Sequence, residues 1–399
     1  MKIFTLLLGL LLSQVVTAQW NEQNSGISNQ LTDVRFRNDM EGLAIGTYKI
    51  MKTTDGGSNW STSYTCNYFL EAIEFTQNRT YVIGHNAQIG ESIILFSSDN
   101  GTSWSELTLP QAGILNDICF VTDLIGYTMG TEGTLLKTVD GGISWNAHGT
   151  GVSSMIQALY FHDANHGFAA GGFSGGYLFE TTDGGLTWTE ISVSATSFLQ
   201  SITFTNVDIG YAVGWDGDIF KTVDGGANWS QQTPVQVYGN MDVQFTENNI
   251  GYIVGGSSNS AEIQKTIDGG VNWFSQSPAV NQGLVAVHFP SSGVGYAVGA
   301  AGTIVKTSNA GGVSLSELDL NSNKVTIFPN PCENSFELRM SSNELSIDDI
   351  EIISDAGAVV YRQSFSKGEK IDVSELESGV YLVKITMGGK VAVKKLYKR

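Results

Sequence analysis

Apolar and polar residues alternate along the chain in short segments that return at regular intervals. Examples are "LTDVRF", "LQSITF" and "LVAVHF". Alternation of this kind is typical of β-strands that bury one face. A turn and a second short strand such as "GYAVG" or "GYIVG" follow most of these segments. The pattern predicts an all-β fold made of short strands joined by tight turns.

A motif rich in Asp and Gly closes each of these units. Aligned on the motif Asp, the copies lie at Asp55, Asp99, Asp140, Asp183, Asp224 and Asp268, and Asn309 stands in the seventh place. The intervals are 44, 41, 43, 41, 44 and 41 residues. Four strands in about 40 residues is the size of one β-propeller blade. Seven units therefore predict a seven-bladed β-propeller over residues 19–312.

The seventh unit, "KTSNAGGVSLSE", lacks the Trp and the outer strand that follow the motif elsewhere. The segment "QWNEQNSGISNQLTDVRF", which contains Trp20, resembles the segment that follows the third motif. We therefore predict that Trp20 and its neighbours supply the missing outer strand of the seventh blade. This pairing closes the ring and protects sheet edges that would otherwise be open.

The repeated motif fits the pattern Ser/Thr-x-Asp-x-Gly-x-x-Trp. Its Asp can accept hydrogen bonds from turn amides, its Gly can adopt a positive φ, and its Trp buries a large surface. The copies are either six ligand or calcium sites or six structural turns. We favour structural turns, because Asp-Gly turns are ordinary strand connectors. The motif tryptophans are Trp60, Trp104, Trp145, Trp188, Trp229 and Trp273.

A lysine precedes five of the motifs, at Lys52, Lys137, Lys221, Lys265 and Lys306. A ring of bases could bind an anion. We favour the alternative, in which the lysine stems cover apolar blade surface and the ammonium groups reach water.

The face opposite to the motifs is the place to look for function, because the repeats differ there. Strand alternation places Val34 and Phe36 between blades and the other parity in the central channel. The channel-facing positions at the mouth are Asp33, Ala72, Asp117, Ala158, Ser201, Asp242 and Ala286. The channel-facing positions one layer below are Arg35, Glu74, Cys119, Tyr160, Thr203, Gln244 and His288. Asp33, Asp117 and Asp242 form a candidate site for a cation or a polyol, and the alternative is a hydrated channel without a ligand.

The segment "WDGD" adds Trp215, Asp216 and Asp218 to the candidate ligand-binding residues. An exposed Trp beside carboxylates suits stacking on a sugar ring. The alternative is an Asp-Gly turn, because "TEGT" and "AAGT" occupy the same place in other repeats.

Catalytic residues, cofactors and metal sites are not predicted. A sialidase clamps its substrate with three arginines from different blades, whereas Arg35 and Arg37 share one strand here and Arg79 is the third. Asp216 and Asp218 meet the requirement of glycoside hydrolysis for paired carboxylates only by residue type. The three cysteines, Cys66, Cys119 and Cys332, fit no metal spacing and are interpreted as unpaired thiols.

The ends and the net charge define the compartment and exclude some partners. Residues 1–18 contain Lys2 followed by a short apolar run and are predicted to be a signal peptide. No later segment is long and apolar enough for a transmembrane helix. The formal net charge of −18 argues against non-specific binding of nucleic acid.

The six motifs are similar to the Asp-box (BNR) repeats of sialidase-type propellers. The "DGG-x-x-W" form followed by "GYAVG" most resembles the photosystem II stability/assembly factor family. The resemblance covers residues 20–312 and implies the propeller fold, with repeats that act as a scaffold.

From Val325 the sequence no longer follows the repeat pattern. This part resembles the type A C-terminal sorting domain of the Bacteroidota type IX secretion system. The matching residues are Pro329, Asn330, Pro331, Asp355, Gly357, Gly379, Tyr381, Lys394 and Lys395. The resemblance implies an Ig-like β-sandwich over residues 325–399, joined by a linker at 313–324. It also implies recognition by the outer-membrane secretion machinery, followed by release or surface tethering.

These observations lead to one functional hypothesis and two alternatives. The chain is predicted to be a secreted or cell-surface propeller that binds a protein or glycan ligand. The alternatives are a glycoside hydrolase of the sialidase or xyloglucanase type, and an assembly or stability factor.

Overall fold

The computed structural model describes a chain in which strands dominate. The described residues are 20–86, 88–107, 109–110, 113–172, 175–233, 239–311, 325–340, 347, 349–354, 359–364, 369–387 and 390–399. The predicted signal peptide and linker lie outside these residues, as do Asp355 and Gly357 of the sorting motif.

One six-stranded sheet holds most of the strands of the first two repeats. The first seven strands of the chain are β1 (Asn21–Gln23), β2 (Leu31–Phe36), β3 (Gly42–Thr53), β4 (Ser61–Phe75), β5 (Thr80–Asn86), β6 (Ser92–Ser97) and β7 (Ser105–Leu107), of which β2 to β7 form this sheet.

Four further sheets are four-stranded meanders formed by strands consecutive in sequence. The first contains β8 (Leu115–Phe120), β9 (Gly126–Gly130), β10 (Thr134–Thr138) and β11 (Asn146–Gly149), and the second β12 (Ile156–Phe161), β13 (Gly167–Gly172), β14 (Gly176–Thr181) and β15 (Thr189–Ile191). The third contains β16 (Leu199–Phe204), β17 (Gly210–Gly214), β18 (Ile219–Thr222) and β19 (Ser230–Gln231), and the fourth β20 (Asn240–Phe245), β21 (Gly251–Ser257), β22 (Ser260–Thr266) and β23 (Phe274–Gln276).

The last sheet of this region joins both ends of the repeat array. It is formed by β24 (Leu284–His288), β25 (Gly295–Gly299), β26 (Ile304–Thr307) and, as its outer strand, β1. Asn21, Glu22 and Gln23 pair with Lys306, Val305 and Ile304. The predicted pairing of the two ends is therefore present.

The first two repeats depart from the expectation of one sheet for each repeat. Strand β4 runs without a break from Ser61, which pairs with Lys52 of β3, to Phe75, which pairs with Thr80 of β5. Strand β3 also takes the place of two strands of its repeat, because its first part pairs with β2 and its second part pairs with β4. Tyr48, with φ of 69°, lies between them. The architecture is a β-propeller, and its division into seven blades stays a prediction.

A repeated aromatic cluster packs neighbouring repeats against each other at six of the seven junctions. Repeats are numbered by the order of their motifs. In repeat one, the ring of Phe36 stacks on Tyr296 with centroids 3.7 Å apart. The motif residue Trp60 contacts Phe36 edge-on, with centroids 5.8 Å apart. Phe120, Phe161, Phe204 and Phe245 have the same edge-on contact with their motif Trp. In repeat seven, Trp20 takes this place, 5.6 Å from Phe289.

The C-terminal region forms two antiparallel sheets. One contains β27 (Val325–Phe328), β28 (Ser335–Met340) and β31 (Lys370–Asp372), and the other β29 (Asp349–Ile353), β30 (Val359–Ser364), β32 (Gly379–Met387) and β33 (Lys390–Lys398). Buried residues of both sheets, among them Phe336 and Ile352, share one hydrophobic cluster. The Ig-like classification of this region stays a prediction.

Candidate functional site

The two ends of the repeats form two different faces of the propeller. Six of the seven motif turns contact the turn after the inner strand, as where Gly56 N donates to Met40 O at 2.9 Å. The turn at Trp215–Gly217 instead contacts the residue before an inner strand, because Trp215 N donates to Phe198 O at 3.0 Å. Antiparallel strands place such turns at opposite ends. We call these the Asp-box face and the open face.

A polar cavity of about 360 Å³ lies in the channel between the inner strands. The seven predicted mouth positions line it, and so do six of the seven residues predicted one layer down. His288 is the exception among those predicted lining residues. Its Nδ1 instead accepts a hydrogen bond from Phe36 N at 3.2 Å. Burial, and then the charge of Arg35, lower the pKa of His288 to about 3, so the imidazole is neutral.

The channel contains one further ring of side chains that strict alternation does not predict. Each inner strand has a β-bulge near the start of its channel-facing part, as between Leu31 and Asp33. The extra residue also lines the cavity, and the ring consists of Thr32, Glu71, Asn116, Gln157, Gln200, Met241 and Val285. The signal in the sequence is the spacing L-x-x-V-x-F, in which two non-core residues stand side by side.

The three channel aspartates join neighbouring repeats. The Oδ1 of Asp33 accepts from Val34 N at 2.7 Å, and its Oδ2 accepts from Ile73 N of the next repeat at 2.8 Å. Asp117 accepts in the same way from Ile118 N and Leu159 N, and Asp242 from Val243 N and Val287 N. Both oxygens of each carboxylate therefore already serve the fold. A ligand role for these aspartates stays a prediction.

Burial raises the pKa values of several channel carboxyls. The pKa of Asp33 is about 6 and that of Asp117 about 7, with burial as the largest cause and Arg35 acting against it. The pKa of Glu74 rises to about 8 for the same reason, and that of Glu71 to about 7. Arg35 is the cation of this group, and its Nε lies 3.7 Å from Asp33 Oδ2.

A cluster of aromatic and titratable side chains borders the channel mouth on the side of the first two repeats. Tyr48 stacks on Phe69 with ring centroids 5.4 Å apart, and Phe69 lies 5.5 Å from His85. His85 Nδ1 is 3.3 Å from Glu71 Oε1, a close contact without hydrogen-bond geometry. Burial lowers the pKa of His85 and raises that of Glu71, so both groups favour their neutral forms.

The segment "WDGD" is a turn, and its acids differ in exposure. Trp215–Gly217 is a single 3-10 turn with φ of 61° at Asp216, and the turns at Thr131–Gly133 and Ala300–Gly302 have the same left-handed second residue. Asp218 is only 4% exposed, and its oxygens accept hydrogen bonds from Thr196 N and from Gln231 Nε2. Trp215, in contrast, is 46% exposed.

Each motif Asp holds its own turn in the same way. In repeat one, Asp55 Oδ1 accepts from Asn59 N at 2.9 Å and from the hydroxyl of Thr53, which itself accepts from Gly57 N. These internal hydrogen bonds, first those from Ser144 and Thr187, lower the pKa values of Asp140 and Asp183 to about 2. Among the described residues, acidic, His and Cys side chains form no group that could hold a metal ion.

The ammonium groups of lysines before the motifs donate hydrogen bonds to the next repeat. Lys137 Nζ donates to Gly184 O at 3.1 Å, and Lys306 Nζ donates to Gly56 O at 2.7 Å. Tyrosines of the second strands do the same, as where Tyr211 donates to Gly269 O at 2.7 Å. Side chains on the Asp-box face are thus used to join repeats, which is a role that the sequence analysis did not find.

The junction between repeats four and five lacks all three of these polar links. Ala158 stands where Asp33 stands in repeat one, Phe168 takes the place of the tyrosine, and Glu180 replaces the lysine. The contact is aromatic instead, because Phe168 and Tyr160 lie 4.7 and 5.0 Å from Phe204.

The substitution Phe168→Tyr is expected to stabilise the propeller. The added hydroxyl reaches the position from which Tyr211 donates to the next motif carbonyl, and a hydrogen bond of this kind contributes about 1 kcal/mol. Urea unfolding measures the change. The reverse substitution Tyr211→Phe serves as the matched control and should cost a similar amount, and equal stability of all three proteins would contradict the prediction.

The predicted sorting residues lie against the last strand of the chain. Asn330 Nδ2 donates to Lys395 O at 2.6 Å, and Asn330 Oδ1 accepts from Tyr397 N at 2.9 Å. Tyr381, on β32, donates to Glu377 O. Pro329 and Pro331 follow cis peptide bonds on either side of Asn330. Gly379 begins β32, and Lys394 and Lys395 belong to β33.

Comparison with family models gives two matches for this chain. Residues 326–399 match the secretion system C-terminal sorting domain. Residues 12–113 and 149–233 match the photosynthesis system II assembly factor YCF48. The chain has no match among curated proteins. In the described part of the chain, helices with the length and hydrophobicity needed to cross a membrane are absent.

Solved structures share the fold at low sequence identity. YCF48 bound to D1 peptide is 20% identical with a TM-score of 0.62, over 73% of this chain and 96% of that chain. The GH74 xyloglucanase from Xanthomonas campestris is 12% identical with a TM-score of 0.59, over 74% of this chain and 54% of that chain. The GH74 enzyme of Niastella koreensis is 13% identical with a TM-score of 0.60, over 94% of this chain and 74% of that chain.

The likeness to these structures shows a β-propeller fold, and the match at the C-terminus supports export by the type IX secretion system. The chain thus combines a β-propeller that resembles the photosynthesis system II assembly factor YCF48 with a C-terminal region similar to the secretion system sorting domain.

Proposed function

We propose that the propeller is a binding module that holds a protein or glycan ligand on its open face. The observation that supports this is the polar cavity of about 360 Å³ in the channel, with Trp215 exposed on the same face. A cavity of this size falls in the range of ligand pockets. The Asp-box face is less suited to hold a ligand, because its lysines and tyrosines form hydrogen bonds between repeats.

The mature protein acts outside the cell or on its outer surface. The match of residues 326–399 to the sorting domain supports this location, and it makes the type IX outer-membrane machinery a partner. Asn330 links the proline-flanked segment to β33 through two hydrogen bonds, so the segment and the last strand form one surface for that machinery.

Deletion of residues 325–399 is expected to stop delivery to the cell surface and leave the propeller in the periplasm. Cell fractionation with an antibody against the propeller measures this. Asn330→Ala tests the same surface by a smaller change, and fusion of residues 325–399 to an unrelated periplasmic protein is the converse experiment. Normal surface delivery of the deletion variant would contradict the assignment.

The second candidate is a glycoside hydrolase, which the fold likeness to a xyloglucanase favours. Hydrolysis needs two carboxyl groups that face the substrate. Asp216 is exposed, but Asp218 is buried and accepts hydrogen bonds at both oxygens. Turnover of a xyloglucan substrate that Asp216→Asn abolishes would establish this alternative.

The third candidate, an assembly or stability factor, is supported by the YCF48 match. One structure of YCF48 contains a D1 peptide, so a peptide is a ligand class to test. Binding of the full chain to glycan and peptide arrays would separate the ligand classes. Trp215→Ala is expected to weaken binding on the open face, and Ile143→Ala, on the Asp-box face, is the control.

A further inference from the structure

Most polar side chains in the channel are already used by the fold. Asp33, Asp117 and Asp242 each accept two backbone N–H groups. Thr32 donates to Leu70 O at 2.6 Å, and Asn116 donates to Ile156 O at 2.7 Å. These groups hold one repeat to the next and have little capacity left for a ligand.

The neutral amide and hydroxyl side chains that make no hydrogen bond within the described part of the chain concentrate on one wall of the cavity. Gln157 and Tyr160 on β12 and Gln200 and Thr203 on β16 all line the cavity. Their side-chain amides and hydroxyls have no hydrogen-bond partner among the described residues. These are the inner strands of repeats four and five, the junction that lacks the polar links found elsewhere. Between the polar groups of β12 stands Ala158, which leaves room in the wall.

The charge of the cavity selects the kind of ligand. Its carboxyl groups outnumber Arg35, which disfavours an anion. Backbone N–H groups already bind Asp33, Asp117 and Asp242, and burial favours the neutral forms of Glu71 and Glu74, which disfavours a second cation. The unused groups are two amides, a phenol and a secondary hydroxyl, and all are neutral. Groups of this type can both donate and accept hydrogen bonds, as a neutral hydroxyl-rich ligand requires.

An exposed aromatic ring stands beside this wall. Trp215 N donates to Phe198 O, which places the Trp next to the start of β16. Its ring lies against Gly239, close to Met241 of β20, which lines the cavity on the side of repeat six. An indole at the rim offers a flat apolar surface for the face of a sugar ring, while the wall below offers hydrogen bonds.

We infer that Gln157, Tyr160, Gln200 and Thr203 form a subsite for one neutral sugar residue of a glycan, with Trp215 as its rim. This inference rests on the proposed binding function and narrows its ligand to neutral glycans. A cavity of about 360 Å³ accommodates a single sugar ring and the start of the next, so the subsite binds the end of a chain or a branch.

The test uses the purified full chain on an array that carries neutral glycans, acidic glycans and peptides. We expect binding to neutral glycans. Calorimetric titration with the strongest neutral glycan should then show about a tenfold loss of affinity for Gln157→Leu and for Gln200→Leu. Tenfold corresponds to about 1.4 kcal/mol, the upper range for one hydrogen bond. Gln77→Leu, on the Asp-box face, is the matched control and should bind like the unchanged protein.

The outcomes separate this inference from the proposed function. Binding only to acidic glycans or peptides would overturn the neutral-sugar subsite and leave a binding module. Neutral-glycan binding that Trp215→Ala weakens but Gln157→Leu, Gln200→Leu and Thr203→Ala do not would overturn the position of the subsite alone. Absence of binding to every array member would overturn both. Circular dichroism of each variant verifies that the fold is kept.

Discussion

Replacement of Trp20 by alanine is expected to lower the free energy of unfolding by about 4 kcal/mol, the usual cost of removing a buried Trp. Trp20 is fully buried and contacts Phe289 and Tyr252 edge-on, with ring centroids 5.6 and 6.3 Å apart. It belongs to the segment that closes the ring, because β1 pairs with β26. The loss therefore combines a cavity with a weaker closure of the two ends.

The matched control for Trp20→Ala is Trp215→Ala, which removes the same side chain from an exposed site. The control should change stability by less than about 0.5 kcal/mol. Urea unfolding followed by far-UV circular dichroism measures both variants, and limited proteolysis reports whether the N-terminal strand detaches first. Equal stability of the two variants would show that Trp20 does not close the ring.

The second large effect concerns pH. Burial raises the pKa of Glu74 from its ordinary value to about 8, against the attraction of Arg35. As pH rises above about 4.5, the unfolded chain loses this proton first, so the native state holds more protons and its stability falls until about pH 8. Glu74→Gln removes the titration and is expected to raise stability at pH 8 by about 4 kcal/mol, with little change at pH 5.

Unfolding midpoints of both proteins at pH 5 and pH 8 test this prediction. The glutamine keeps an oxygen to accept the hydrogen bond from the backbone of Phe120, and it loses only the attraction of the carboxylate to Arg35. Glu132→Gln, at an exposed turn, is the control and should leave both midpoints unchanged. Equal destabilisation by Glu74→Gln at the two pH values would contradict the buried-acid interpretation.

Much of the propeller could be predicted from sequence because its strands follow local rules. The L-x-x-V-x-F segments contain both the core positions and the channel positions, and the missing seventh Trp indicates the closure by Trp20. Strict alternation does not predict the bulge ring, because the bulge directs both Thr32 and Asp33 to the channel. The repeat pattern does not predict the long strand β4, because nothing in the sequence between Cys66 and Phe69 shows whether the chain bends or continues.

The candidate site was harder to predict, because its residues depend on partners outside their own repeat. The sequence predicts that Asp218 binds a sugar, whereas in the structure its oxygens accept hydrogen bonds from Thr196 and Gln231. Asp33 reads as a free carboxylate at the channel mouth, yet it binds the backbone of Ile73. Such contacts follow from the register between neighbouring strands and sheets, which residue spacing alone does not determine.

The links between repeats have a consequence for how such a protein can change. Side chains of one repeat, such as Asp33, Lys137 and Tyr211, reach forward to N–H or C=O groups of the following repeat. The receiving side is main chain, which every substitution except one by proline leaves in place. A repeat can therefore gain or lose a link without a compensating change in its neighbour. The junction of repeats four and five shows the result: three links are replaced by apolar contact, and the channel wall there is free to acquire a different chemistry.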